Sequence, residues 1–176
     1  DYYLAWTGKG DALYEIGKFR DAASAYDLAL KLRPDERRAA VKKGDALNEI
    51  GKYEAAAAAY SAAIALDGGD PYPVTRQADA LAGLGAHIPA VELYRQAIEM
   101  QPEFHAAWRG EGLALLALNK PEEAVESLDR AAALKPDDAL TWAGIGDALS
   151  RLGKLEDAVG AYMRSAAVRS EYTPAW

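Results

Sequence analysis

Six columns of residues recur along this chain every 34 residues. Gly10, Gly44, Ala78, Gly112 and Gly146 stand one period apart, and so do Leu13, Leu47, Leu81, Leu115 and Leu149. Ala22, Ala56, Ala90, Ala124 and Ala158 keep the same step. Tyr26, Tyr60, Tyr94, Leu128 and Tyr162 follow, then Ala29, Ala63, Ala97, Ala131 and Ser165. Pro34, Pro102 and Pro136 close three of the units, with Gly68 and Ser170 in the other two. A period held this long without an insertion means a stack of like supersecondary units, none able to bury its apolar face alone. The units run 3–36, 37–70, 71–104, 105–138 and 139–172.

The unit is helical. Of the 176 residues, 39 are Ala, while Val, Ile and Thr together number only 16, which favours helix over sheet. With Tyr3, Arg37, Pro71, His105 and Ala139 as position 1, positions 4, 7, 8 and 11 are mostly apolar or small, at helical spacing. Position 15 is Gly17, Gly51, Gly85, Asn119 or Gly153, the residue types that end a helix in the left-handed conformation. A second helical pattern covers positions 18–31. Pro89 and Pro121 sit near its start, where a missing N–H costs little, and the Pro at position 32 stops it. Each unit is therefore two short helices and a tight turn, and the fold class is all-α. Positions 8 and 20 are always Gly or Ala, so the helices of a pair can approach closely there.

These columns resemble the tetratricopeptide repeat. Trp6, Trp108 and Trp142 fall in that family's Trp column. Gly10, Gly44, Gly112 and Gly146 match its Gly, and Tyr26, Tyr60, Tyr94 and Tyr162 match its second-helix aromatic. The likeness covers residues 3–172. Val74 and Ala78 in the third unit, and Pro121 in the fourth, depart from it. It implies a right-handed α-solenoid whose first helices line a concave, peptide-binding groove, and a non-catalytic protein-interaction scaffold.

Composition excludes several other functions. A net charge of −7 and a pI of 4.9 argue against nucleic acid and against anionic lipid. No membrane span is expected, since no run of about 18 apolar residues is free of charge. There is no cysteine, hence no thiolate catalysis and no cysteine-bound zinc. His87 and His105 lack partners at metal-ligand spacing and read as turn and helix-start residues. Glu122, Glu123 and Glu126 read as a solvated first turn. Gly8-Lys9-Gly10 and Gly144-Ile145-Gly146 lie inside helices, without the strand that a phosphate loop needs. No enzyme, cofactor or metal is expected.

The resemblance places ligand contacts at positions 2, 5, 6, 9, 12 and 13 of the first helices. Position 9 holds Asp11, Asp45, Asp79 and Asp147, with Leu113 in the fourth unit. Around this column stand Tyr14, Arg38, Lys42, Asn48, Tyr72, Arg76, Arg109 and Leu116. The expected ligand is a protein or peptide segment with a Lys or Arg facing the Asp column and an apolar anchor near Leu113. Alternatively, each Asp pairs with Lys42, Arg76 or Arg109 and only keeps the face soluble. The family's carboxylate clamp for chaperone tails is not matched: Thr7, Asp11, Lys42, Tyr72 and Arg76 occupy its positions, and only Arg76 fits.

Asp1 and Tyr2 read as the end of a preceding unit, and residues 173–176 as the start of a sixth with Trp176 in the Trp column. A fragment of a longer array is expected, as is head-to-tail self-association through its open ends. No signal peptide is apparent, so a cytoplasmic location is favoured.

Overall fold

The computed structural model describes residues 2–171, with side chains to Val168. The expected start of a sixth unit at 173–176, and the place given to Asp1, lie outside the described residues. Ten helices alternate with short turns, and no strand occurs among the described residues. They are α1 Tyr2–Glu15, α2 Phe19–Leu32, α3 Arg37–Glu49, α4 Tyr53–Leu66, α5 Pro71–Gly83, α6 His87–Met100, α7 His105–Ala117, α8 Pro121–Leu134, α9 Ala139–Arg151 and α10 Leu155–Glu171. This is the all-α solenoid class. The helices form two compact units, α1–α5 up to Ala86 and α6–α10 from His87.

The turn between paired helices follows from position 15. Gly17, Gly51, Gly85 and Gly153 have φ between 70° and 77°, and Asn119 adopts 58°. That left-handed residue lets the next N–H fold back on the Leu carbonyl at position 11. Lys18 donates to Leu13 at 2.9 Å, Lys52 to Leu47 at 2.9 Å and Lys120 to Leu115 at 3.0 Å. Asn is tolerated in the fourth unit because it visits this conformation more readily than other side chains. Pro71 and Pro121 open α5 and α8, where the first N–H has no helical partner anyway. The Asp70 side chain caps α5 by accepting from the Tyr72 N–H at 2.9 Å.

In the first unit consecutive helices pack on one another, and the first helices α1, α3 and α5 also touch along one side. Tyr26 and Tyr60 are fully buried and lie on Gly10 and Gly44. A Cβ at either glycine would stand 2.6 Å from the ring, so in these two hairpins the tyrosine at position 24 leaves no room for a side chain at position 8. In the second unit α7 and α9 touch in the same way. There Leu128 replaces the ring over Gly112, and Tyr162 returns over Gly146. No described helix is long and apolar enough to cross a membrane.

Candidate functional site

The first helices of the first unit bring most of the expected residues together, in an order the sequence did not disclose. Tyr60 donates its hydroxyl to Asp45 at 2.8 Å, Tyr26 to Asp11 at 2.8 Å and, in the second unit, Tyr162 to Asp147 at 2.6 Å. In these three hairpins the Asp at position 9 is thus bonded to the Tyr at position 24. Where position 9 is Leu113, position 24 is Leu128, so the two columns switch together.

Asp45 is the centre of this arrangement, and only 3% of it is exposed. Besides Tyr60 it accepts from the Tyr72 hydroxyl of α5, 3.1 and 3.2 Å from its two oxygens. The Arg76 guanidinium lies 3.5 Å away and also binds Asp79 at 2.8 Å. Burial, then the Asp45 charge, pushes the Tyr72 phenol up to about 12. Burial works against the Arg76 charge, but Tyr60, Asp79, Tyr72 and Asp45 outweigh it and raise its pKa. Asp11 is likewise engaged, by Tyr26 and by Arg38 of α3.

Other expected residues remain open to solvent. The Lys42 ammonium sits 5.5 Å from the Tyr14 ring centroid, and that ring meets Phe19 edge-on at 5.1 Å. Lys42, Glu15 and Glu49 make no ion pair among the described residues. Burial, followed by the charges of Asp45 and Glu49, raises the Tyr14 pKa. The Asn48 side-chain oxygen and the Thr75 hydroxyl are buried on this face with no hydrogen-bond partner.

The second unit's first-helix face is simpler. Leu113 is 40% exposed and Leu140 52%, and together they make an apolar patch on α7 and α9. Leu116 is buried, so it belongs to the packing of the unit and offers no surface to an anchor. Arg109 binds Asp138, which also accepts from the Thr141 hydroxyl, and so bridges α7 to the start of α9. Of the three cations in the pairing alternative, Arg76 does meet Asp45 and Asp79, whereas Asp11 pairs with Arg38 and Arg109 turns to Asp138, outside the Asp column.

His87 and His105 open α6 and α7. Burial, then the nearby Arg109 and Lys135, lowers the His105 pKa. Among the described residues no three His, Asp or Glu side chains gather as a metal site. Glu123 is bound by Lys120 and by Arg95 rather than simply solvated. Such a surface can hold main-chain groups and charges of a ligand by hydrogen bonds.

A stack of helical hairpins that carries its polar residues on one side of the first helices is a repeat scaffold. The family model for the tetratricopeptide repeat matches residues 7–71, 75–139 and 111–174, and the chain belongs to that family. Its members generally mediate protein–protein interactions and are typically non-catalytic. No curated protein matches the sequence. Among solved structures, a crystal structure of MamA is 21% identical with a TM-score of 0.81, covering 92% of this chain and 95% of that one. MamA from Desulfovibrio magneticus RS-1 (residue 41 to the end) is 15% identical with a TM-score of 0.86, covering 98% and 97%. YrrB, described as a protein of this family with an unusual peptide-binding site, is 16% identical with a TM-score of 0.72, covering 95% and 86%. At these identities the likeness is one of fold.

Proposed function

We propose that this chain is a non-catalytic scaffold that docks an extended segment of a partner protein on the face of α1, α3 and α5. The observation that carries this is the network around Asp45. Hydrogen bonds from two helices and an arginine fix the floor of the face before any ligand arrives, which lowers the ordering cost of binding. Above that floor, Tyr14, Lys42, Glu15 and Glu49 keep their polar groups available. The peptide-binding site described for YrrB is a precedent within the same fold.

The ligand of this face is a segment bearing Lys or Arg. Because the Asp column is committed to tyrosines and arginines, the carboxylates that would meet such a side chain are Glu15 and Glu49 at position 13. In the second unit, the Leu113 and Leu140 patch would take an apolar residue. The test is selection of a phage-displayed random peptide library on the protein, followed by calorimetry of the enriched peptides. Basic peptides should be enriched and should lose about tenfold in affinity to Glu15→Lys with Glu49→Lys. Enrichment of acidic peptides, or indifference to the double change, would overturn the reading.

A second reading, head-to-tail self-association, has its own support. Tyr162 is 40% exposed whereas Tyr26, Tyr60 and Tyr94 are buried, and Val159 and Met163 beside it are more exposed still. At the other end Ala5 and Ala12 of α1 are exposed, while their counterparts Ala39 and Ala46 of α3 have no exposure. A second copy's α1 could repeat on α10 the contact that α3 makes on α2. Light scattering decides: a mass that rises with concentration and falls with Tyr162→Lys supports it, and a monomer at all concentrations sinks it.

A further inference from the structure

On α7, positions 4, 7 and 11 lie on the side opposite positions 2, 5 and 9, since each residue turns the helix by about 100°. That far side forms a cleft of about 370 Å³ with α8, walled by Trp108 and floored by Glu111. The same columns form a cleft of about 300 Å³ between α1 and α2, walled by Trp6. The third hairpin with this tryptophan, α9 and α10, has Trp142 in the same place.

In two of these three hairpins a cation of the chain itself covers the indole. Lys9 stands 4.8 Å from the Trp6 ring centroid, and the Arg164 guanidinium 4.7 Å from that of Trp142. Trp108 carries no such cation among the described residues, although its ring is fixed in the same way as Trp142. Its indole N–H donates to the Pro102 carbonyl at 2.8 Å, and that of Trp142 donates to Pro136 at 2.7 Å. Arg130 occupies the column of Arg164 but does not lie over the ring. Arg95 is held by Glu111 at 2.6 Å and by Glu123. The cleft also contains Glu126, which makes no ion pair among the described residues. Of its three carboxylates, Glu111 and Glu123 are held by Arg95 and, for Glu123, Lys120 as well, which leaves Glu126 as the carboxylate without an ion pair among the described residues.

We propose that the Trp108 cleft is a second docking site, distinct from the first-helix face, that takes an arginine or lysine side chain of a partner protein. The incoming cation occupies over Trp108 the place that Lys9 and Arg164 hold over their own tryptophans, and Glu126 supplies the counter-charge. Quadrupole attraction to an indole face and one added carboxylate are the chemistry that recognises it.

The probe is the tripeptide Ac-Gly-Arg-Gly-amide, titrated against the 15N-labelled protein while the indole N–H resonances are followed. The Trp108 resonance should shift saturably and Trp142 should not. The Gln analogue should bind about threefold to fivefold more weakly, and Glu126→Arg should reduce the arginine response by a similar factor. Arg164→Gln, which uncovers the sister indole, should give Trp142 a response of its own. Equal shifts from the Gln or Glu analogue, or a Trp108 shift no larger than that of Trp142 in the unaltered protein, would overturn the proposal.

Discussion

Tyr60 donates its phenolic hydroxyl to Asp45 at 2.8 Å, and the two residues lie fifteen apart on the two helices of one hairpin. The bond is made where almost no water reaches, and Asp45 serves Tyr72 and Arg76 as well. Tyr60→Phe removes one of several donors and should cost about 1 kcal/mol. Asp45→Ala strands the buried Tyr60 hydroxyl and takes a partner from Tyr72 and from Arg76, and should cost about 2–3 kcal/mol. Urea denaturation of both variants checks the order. A smaller loss for the aspartate would mean that the network does not hold the hairpin.

The glycines of α1 and α3 separate close approach from mere helix weakness. Gly44 of α3 faces the Tyr60 ring, which a new Cβ would meet at 2.6 Å, and a core aromatic cannot retreat. Gly44→Ala should destabilise by about 2 kcal/mol. In α1 itself Gly10 stands in the same relation to Tyr26, but Gly8 has nothing within 4 Å of the same point. Gly8→Ala replaces a poor helix former without a clash and should stabilise by about 0.5–1 kcal/mol. Thermal melts of the two variants should move in opposite directions.

The hairpins were legible because each boundary has a local cause: Gly17, Gly51 and Asn119 at the turns, Pro71 and Pro121 at helix starts. The site was only half legible. Asp11, Asp45 and Asp147 invite a reading as ligand contacts because a side chain's helical position says nothing of a partner fifteen residues on. The signal was nevertheless present, since Leu113 and Leu128 replace Asp and Tyr together in the fourth unit. Leu116 is misread for a different reason. Its position 12 puts Tyr14 partly in solvent in the first unit, but burial at that position depends on the next helix, which a single-repeat argument does not include.

The buried tyrosines make stability fall at high pH. Burial raises the pKa of Tyr26 and Tyr60 above the ordinary 10.0, with the hydrogen bond to Asp11 and the charge of Asp45 adding to it. A folded pKa above the unfolded one means that the native state keeps protons which the unfolded chain releases from about pH 10 upward. That contribution is complete below the unfolded pKa and is lost as pH climbs toward the folded one. Urea midpoints between pH 8 and pH 11, taken as about the usable window, should decline, and Tyr26→Phe with Tyr60→Phe should flatten the decline. Absorbance at the phenolate band should show these two rings ionising only on unfolding.

Position 7 of one hairpin faces position 25 of the one before it, and the two units use opposite polarity there. Lys43 of α3 binds Asp27 of α2, and that contact lowers the Asp27 pKa. In the second unit Glu111 of α7 is buried and binds Arg95 of α6, with the Ser127 hydroxyl donating to it at 3.0 Å. A hairpin moved from one stack to the other would therefore set like charges together, so the pairs select neighbours as well as joining them. Arg95→Glu faces a buried carboxylate with another and should cost about 3 kcal/mol. Exchanging the pair, Arg95→Glu with Glu111→Arg, should restore more than half of that loss, because opposite charges meet again. Lys43→Glu should cost less, about 1 kcal/mol, since Asp27 is partly exposed and Lys31 remains beside it. If the exchange in the second unit restores nothing, Glu111 is held by its local packing and Ser127, and polarity plays no part in ordering the hairpins.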